Sequence, residues 1–170
     1  MIRLATPKDL LFIRDLQRRF TNQIGFIPSA GVERELNRGR ILLGAINNQE
    51  AGFLLTIPHL TSQPCTTAII QTAVRLDAQR LSLGSELVNT LARTARDQGN
   101  TILQAWCKAN LEANLFWQAQ GFTAVATRNG GNGKHVPHIL WRQPLTPTAD
   151  LSTLPIEQYN RSPGGRFARR

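Results

Sequence analysis

The segment from Val74 to Ser85 constrains this chain more than any other part of its sequence. It reads V-R-L-D-A-Q-R-L-S-L-G-S and joins an apolar run rich in β-branched residues to an amphipathic helix. A strand that passes through a short polar loop into a helix directs backbone N–H groups at one point. The helix N-terminus adds about half a positive charge there. The sequence therefore predicts a binding site for an anion such as a phosphate.

The composition is that of a globular protein with one sizeable core. The chain has 170 residues, of which 41% are hydrophobic and 18% are charged, and this length is typical of one domain. No apolar run approaches the roughly 20 residues of a membrane span. The first residues lack the apolar segment of a signal peptide, so we expect a cytoplasmic protein with no membrane partner.

The cysteines and the charge narrow the chemistry further. Cys65 and Cys107 lie far apart and outside any Cys/His cluster. We therefore expect buried thiols and neither a disulfide framework nor a metal site. The net charge is +9. It favours an anionic cofactor, and it leaves open an acidic or nucleic-acid partner, which is not the favoured interpretation because no basic helix is present.

Hydrophobic periodicity predicts the order β-α-α-β-β-β-α-β-α-β-β. This is an α+β protein with a mixed, mostly antiparallel central sheet of about seven strands flanked by about four helices. The Asn47–Asn48 pair indicates a hairpin, because Asn tolerates positive φ. The predicted strands are 2–4, 40–46, 51–57, 68–76, 101–107, 122–127 and 136–145. The predicted helices are 7–22, 29–37, 84–98 and 110–120.

Two motifs on these elements match a known family. Q-R-L-S-L-G begins at Gln79, five residues after Val74, and fits the pattern [Q/R]-x-x-G-x-[G/A] with Ser82 in the place of the first glycine. N-L-E-A-N-L-F-W-Q-A-Q-G-F begins at Asn110 and fits N-x-x-A-x-x-[F/L]-Y-x-x-x-G-F with Trp117 in the place of the tyrosine. With the element order, these motifs resemble the GNAT N-acetyltransferase superfamily, and the resemblance extends to about Leu145.

The resemblance implies acetyl-CoA as the acyl-donor cosubstrate. The pyrophosphate would lie on the loop, and a splayed strand would bind the pantetheine arm through the backbone of Val74 and Leu76. Asn110 would also contact the arm, and Trp117 would lie near the thiol. The implied loop residues are Gln79, Arg80, Leu81, Ser82, Leu83, Gly84 and Ser85. Each motif residue also has a structural interpretation, as a helix cap or a core aromatic.

The catalytic residues are unknown from the sequence. An indole N–H does not give up a proton near neutral pH, so Trp117 cannot replace a tyrosine as general acid. The candidates for a general base are Glu50, His59, Asp77, Glu112, His135 and His138, and a water relay is equally compatible. In many relatives a Glu lies at the outer end of the 68–76 strand, where this chain has no acid.

The first hypothesis is an acetyl-CoA-dependent N-acetyltransferase in which a primary amine attacks the thioester in a ternary complex. The acceptor is a small molecule or a protein. The alternatives are a GNAT-fold acyl-CoA-binding or regulatory module with little turnover, and an RNA- or ribosome-directed acetyltransferase. We expect a GNAT-like domain over residues 1–145, a mobile Pro/Ser/Arg-rich tail over 146–170 that is dispensable for folding, and a monomer or homodimer.

Overall fold

The computed structural model describes residues 1–60, 65–130 and 136–151. Within these ranges the chain forms one seven-stranded sheet and five α-helices, and the strand order is β1-β2-β3-β4-β5-β7-β6. The strands are Ile2–Leu4 (β1), Ile41–Ile46 (β2), Gln49–Ile57 (β3), Thr66–Val74 (β4), Ile102–Lys108 (β5), Thr123–Arg128 (β6) and His138–Pro144 (β7). The helices are Leu10–Arg19 (α1), Thr21–Ile24 (α2), Ser29–Asn37 (α3), Leu83–Asp97 (α4) and Ala113–Ala119 (α5).

The sheet confirms the expected fold class. Every neighbouring pair of strands is antiparallel except β4 and β5, which run parallel. The helix expected over 7–22 is interrupted at Phe20, whose φ of −107° and ψ of 16° leave the helical region. The described residues therefore form one more helix than expected, the short α2.

The β2–β3 hairpin closes as the Asn pair predicts. Asn47 and Asn48 have φ values of 49° and 62°. Positive φ at both central residues is the geometry of a type I′ turn, whose twist matches that of the flanking strands. The second strand begins at Gln49, two residues before the expected start.

Helices cover the sheet in two layers, each with its own core. On one side α4 buries the predicted stripe of Leu83, Leu87, Val88, Leu91 and Ala95, and α5 adds Trp117 to the same cluster. On the other side α1 and α3 bury Ile13, Leu16, Val32 and Leu36 against β2 and β3. Both β4 and β5 are largely buried between these two layers.

The chain remains in contact with the domain for several residues after β7. Leu145 is buried in the α4 core. Arg142, on β7, is only 1% exposed, and its Nη1 donates to the carbonyl of Leu151 over 2.9 Å. Its Nε donates to Oε1 of Gln104 over 3.3 Å. Leu151 thus contacts a buried guanidinium. The rest of the expected tail lies outside the described residues.

Within the described ranges, the helices are all too short or too polar to cross a membrane.

Candidate functional site

A cleft opens in the sheet where β4 and β5 separate. The two strands pair at only four positions, from Thr66 with Ile102 to Ile69 with Ala105. Beyond these pairs β4 continues to Val74 and β5 to Lys108 without further pairing. We call the opening between residues 70–74 and 106–108 the cleft. It is the splay that the resemblance implies.

A bulge in β4 lies at the base of the cleft. Leu55 pairs with Gln71 and Thr56 pairs with Ile69, so Ile70 has no partner on β3. An extra residue of this kind bends a strand and increases its twist, and it often ends pairing with a neighbour. The bulge therefore explains why β4 leaves β5 immediately after Ile69.

Two residues of β4 direct backbone groups into the cleft. The N–H of Arg75 donates to the carbonyl of Ala51 on β3 over 2.8 Å. Because successive residues of a strand direct their N–H and C=O groups to opposite sides, those of Val74 and Thr72 point away from β3 and toward β5. The carbonyl of Val74 accepts a 3.2 Å hydrogen bond from Nε2 of Gln79. The N–H of Val74 is thus placed to bind an amide in the cleft.

The strand ends earlier than the sequence predicts, and this corrects the position of Leu76. Leu76 begins a single 3-10 turn over Leu76–Ala78 and is 76% exposed. Its carbonyl accepts the N–H of Gln79 over 3.3 Å. The Arg75–Asp77 ion pair, at 2.6 Å, closes around this turn. Leu76 therefore lies beside the cleft as part of the loop and does not extend β4.

The loop between β4 and α4 presents a group of unbonded donors. Among the described residues, the backbone N–H groups from Arg80 to Ser85 donate to no protein acceptor. The first N–H groups of a helix lack intrahelical partners, and the loop extends this set toward β4. Six consecutive N–H groups of this kind beside a helix N-terminus suit an anion, and binding of an anion by the loop stays a prediction.

The loop achieves this geometry by placing two side-chain-bearing residues in the left-handed region. Arg80 has a φ of 63° and Ser82, the N-cap of α4, has a φ of 64°. Ser82 occupies the position of a glycine in the family pattern. Its conformation is the one that a glycine would adopt without cost, and a serine loses on the order of 1 kcal/mol there.

Helix α5 supports the loop through two contacts. A Cβ added to Gly84 would lie 3.2 Å from Cε2 of Phe116, so the absence of a side chain allows the two helices to approach. Nε2 of Gln120 donates to Oγ of Ser85 over 2.9 Å. The first turn of α4 is therefore held by α5, the helix that carries the second sequence motif.

Trp117 lies in the core and next to the cleft strand. It is 5% exposed, and its ring makes edge contacts with Phe116 and Phe122, each with centroids 5.1 Å apart. Cys107 on β5 belongs to the same core cluster as Trp117. Burial raises the pKa of the Cys107 thiol, so Cys107 is protonated at neutral pH and is not a nucleophile.

The turn between β5 and α5 differs from the expectation at Asn110. The helix begins at Ala113 with Glu112 as its N-cap, so Asn110 is an exposed turn residue and not the cap. Asn114 organises this turn. Its amide donates to the carbonyls of Lys108 and Leu111, both over 2.8 Å, and its oxygen accepts the indole N–H of Trp141. No pattern in the sequence indicated this role of Asn114.

On the opposite side of the sheet, α2 spans the cleft. Nε2 of Gln71, on β4, donates to the carbonyls of Ile24 and Gly25 over 3.2 and 3.0 Å. Nζ of Lys108, at the end of β5, donates to the carbonyl of Asn22. Each of the two separated strands therefore holds one part of the α2 segment. Sequence reasoning did not single out these two residues, because their role depends on which strands they face.

The candidate general bases are dispersed. Glu50, His59, Asp77 and Glu112 are exposed, and Asp77 is ion-paired with Arg75, which lowers the pKa of its carboxyl. His135 lies outside the described residues. His138 begins β7 opposite Lys108. Burial, followed by the charges of Arg128 and Lys108, lowers the pKa of His138, so it is neutral at neutral pH.

Buried ionisable side chains elsewhere have structural partners. Among the described residues no group of three or more His, Cys, Asp or Glu side chains could hold a metal ion.

A concavity of about 700 Å³ runs along the exposed side of α4, lined by residues that include Asn89, Arg93 and Gln143. It lies outside the cleft, and none of its lining residues belongs to either sequence motif.

Comparisons with known proteins agree with this geometry. The model of the acetyltransferase (GNAT) family matches residues 10–122. None of the curated proteins matches the sequence. The ribosomal-protein-S18-alanine N-acetyltransferase from Escherichia coli is similar in structure, with a TM-score of 0.71 and 18% identity, covering 89% of this chain and 97% of that one. Ard1 from Thermoplasma volcanium has a TM-score of 0.75 and 16% identity over 86% and 97%.

An aminoglycoside 6'-N-acetyltransferase complexed with coenzyme A also matches, with a TM-score of 0.72 and 16% identity over 88% of this chain and 99% of that one. The residues present here fit such a group. The free N–H groups of residues 80–85 suit a pyrophosphate, and the unpaired edge of β4 suits a peptide-like arm. The chain belongs to the GNAT acetyltransferase family, with acetyl-CoA as its acyl donor.

Proposed function

We propose that the protein is an N-acetyltransferase that moves the acetyl group of acetyl-CoA to a primary amine by direct attack in a ternary complex. The observation that carries the proposal is the group of six free N–H donors over residues 80–85 at the head of the cleft. This arrangement serves an anion, and it lies where β4 offers backbone groups to a peptide-like arm. Family membership makes that ligand acetyl-CoA.

The proposed cofactor-binding residues divide into three groups. The loop from Gln79 to Ser85 binds the pyrophosphate, chiefly through its backbone. Val74 and, from the adjoining turn, Leu76 offer backbone groups to the pantetheine arm. Asn110 and Trp117 border the cleft from the side of β5 and α5. Trp117 acts by packing, because its ring is buried against Phe116 and Phe122.

The reaction needs little chemistry from the protein. Acetyl-CoA supplies an activated thioester: the new C–N bond replaces the C–S bond, the amine loses a proton, and coenzyme A leaves as a thiol. The cleft-facing N–H groups of β4 are placed to polarise a carbonyl. The cleft itself holds the two reactants together, which makes a bimolecular step effectively unimolecular.

His138 is the best-placed described histidine for receiving the amine proton. It lies at the end of β7 beside Lys108, is half-buried, and is neutral at neutral pH because of its lowered pKa. Its Nδ1 is buried and makes no hydrogen bond among the described residues. A neutral imidazole with a free nitrogen accepts a proton directly or through a water molecule.

A binding or regulatory module with little turnover is the second candidate. It is favoured by Trp117, which offers no acidic proton to the leaving thiolate. Turnover distinguishes the two candidates. If the protein catalyses acetyl transfer, replacing Trp117 with Tyr should preserve acetyl-CoA binding and leave turnover unchanged or raised.

An RNA- or ribosome-directed activity is supported by the net charge alone. We further propose that the protein resides in the cytoplasm.

The test compares the acetyl-CoA affinity of variants in the loop. Gly84 is not substituted, because a side chain there would clash with Phe116. Leu81 is 56% exposed in the loop, so Leu81→Glu adds a negative charge beside the anion site without a core clash, and Leu81→Gln is the uncharged control. Leu11→Glu places the same charge on α1, where Leu11 is 76% exposed. Calorimetry should show acetyl-CoA affinity at least tenfold lower for Leu81→Glu only. Equal affinity in all three variants would refute the loop as the site.

Turnover is measured separately, by following free thiol release from acetyl-CoA with a panel of amines. Amine-dependent release supports the enzyme, and tight binding without release for any amine supports the binding module.

A further inference from the structure

Three basic side chains form one row at the open end of the cleft. Lys108 on β5 pairs with His138 on β7, and His138 pairs with Arg128 on β6. Directly paired residues of antiparallel strands place their side chains on the same face of the sheet, with Cβ atoms about 5 Å apart. The three groups are therefore neighbours. We call them the basic row.

The basic row faces the side of the sheet that carries α2. Lys108 donates to the carbonyl of Asn22, just inside α2. The guanidinium of Arg128 lies 4.1 Å from the ring centroid of Trp106, the next residue of β5 on the same face. Cys107, between Trp106 and Lys108, packs with α4 and α5 on the opposite side. The loop that binds the acyl donor precedes α4, so the side carrying the basic row is the one left for the acceptor.

The ammonium of Lys108 retains binding capacity. A lysine has three N–H donors, and one of them goes to Asn22. Among the described residues no carboxylate lies within salt-bridge distance of Lys108. Arg128 contributes a second permanent charge one strand farther away. The pKa of His138 is lowered first by burial and then by the charges of Arg128 and Lys108, which therefore lie close to it.

A positive field has two effects on an incoming amine. It favours the neutral amine over the ammonium, which suits attack on a thioester because only the free base is nucleophilic. It also repels a cationic acceptor before the amine is deprotonated. An acceptor that carries its own anionic group avoids this second effect, because the anion pairs with the basic row.

From this geometry we infer that the acceptor carries a side-chain carboxylate a few bonds from its reacting amine, and that Lys108 of the basic row binds that carboxylate. The inference rests on the proposed function, because it assigns the substrate class of the same cleft. The required chemistry is shared by free amino acids with an acidic side chain and by peptides whose N-terminal region is acidic.

The experiment compares acceptors that differ only in this charge. Acetylation is followed for free aspartate against asparagine, and for N-terminal peptides with Asp or Asn at the second position. The expected kcat/KM is at least tenfold higher for the acidic member of one pair. Which pair responds distinguishes a free amino acid from a peptide.

Variants then assign the effect to the basic row. Lys108→Gln should reduce the ratio of kcat/KM between the acidic and amide acceptors at least fivefold, and Lys108→Arg should restore it. Lys8→Gln, which removes an exposed lysine before α1, should retain the ratio. Calorimetry of acetyl-CoA with each variant separates an acceptor effect from a cofactor effect.

Two results overturn the inference while the proposed function stands: amide acceptors are acetylated as well as acidic ones, or Lys108→Gln retains the full ratio. If no amine in the panel releases coenzyme A although acetyl-CoA binds, the proposed function and the inference both fail.

Discussion

Gly84 lacks a side chain because the ring of Phe116 occupies the space beside it. A Cβ at this position would lie 3.2 and 3.4 Å from two ring carbons of Phe116. The loop motif and the α5 motif are therefore one structural unit, because the glycine of the first admits the aromatic residue of the second. A substitution at Gly84 would disturb both this packing and the loop predicted to bind an anion. The contribution of the packing must therefore be measured separately from ligand binding.

We expect Gly84→Ala to lower the free energy of unfolding by about 1–3 kcal/mol, as overpacking does. Phe116→Leu should cost stability by itself but remove most of the penalty of the alanine, because the ring carbons are then absent. A double-mutant cycle by urea denaturation measures this coupling. A penalty of equal size in both backgrounds would show that the contact with Phe116 is not the cause.

Asp9 gives the fold a defined acid sensitivity. It is buried, and its carboxylate accepts two 2.7 Å hydrogen bonds from Arg3 and one from the N–H of Thr6. These hydrogen bonds lower the pKa of Asp9 to about 2, and those from Arg3 contribute most. Because the folded pKa lies below the unfolded one, the stabilisation is present above about pH 4 and is lost as the pH falls toward 2.

Replacing Asp9 with Asn should therefore cost roughly 1–2 kcal/mol at pH 7, a value reduced for the partial exposure of Arg3. The difference between parent and variant should shrink as the pH falls from 4 to 2. Urea denaturation at several pH values measures it. A difference that persists unchanged at pH 2 would mean that the lost ionic hydrogen bonds are not its source.

At the scale of elements, the cleft depends on how β4 and β5 are held apart. The bulge at Ile70 ends their pairing, and α2 spans the gap through Gln71 and Lys108. The side chain of Gln71 is 4% exposed and donates to the carbonyls of Ile24 and Gly25 at the end of α2. A hydrogen bond of this kind contributes about 0.5–1.5 kcal/mol, so the two bonds favour this position of α2.

We expect Gln71→Leu to loosen α2 while leaving α4 intact. Hydrogen exchange followed by mass spectrometry should show faster exchange in residues 20–27, by at least fivefold, and unchanged exchange in residues 87–97. Thr94→Ala is the control, because it removes an exposed side-chain hydrogen bond to the carbonyl of Thr90 within α4. Uniformly faster exchange across the domain would indicate global destabilisation and contradict a local role.

At the scale of the whole molecule, the end of the domain is set by Arg142. Its buried guanidinium donates to the carbonyl of Leu151, six residues beyond the boundary expected at Leu145. The composition of the later residues still predicts a segment that contributes little to folding. We therefore predict that the dispensable part begins after Leu151.

Truncation after Leu151 should leave the Tm within about 2 °C of the full chain. Truncation after Leu145 should lower it further, by roughly 3–8 °C, because a hydrogen bond from a buried charge is lost. Thermal melts followed by circular dichroism measure both. Equal Tm values for the two truncated chains would show that residues 146–151 are as dispensable as the remainder.

The sequence alone predicted the features that depend on local patterns. The hairpin follows from Asn47 and Asn48, the buried stripe of α4 follows from its periodicity, and the anion loop follows from the sequence between Val74 and Ser85. The family and its acyl donor follow from two motifs at the right separation. Each of these signals lies within about a dozen neighbouring residues, where backbone preference and side-chain spacing act directly.

The tertiary structure decided the features that depend on register between distant strands. The bulge at Ile70, the end of β4 at Val74 and the row formed by Lys108, His138 and Arg128 each require knowing which residues face one another across the sheet. Shifting a strand by one residue sends its side chains to the other face. The proposed acceptor side of the cleft is built from such cross-strand neighbours, whereas the predicted donor site is one continuous loop, and this is why the sequence reveals the acyl donor and not the amine.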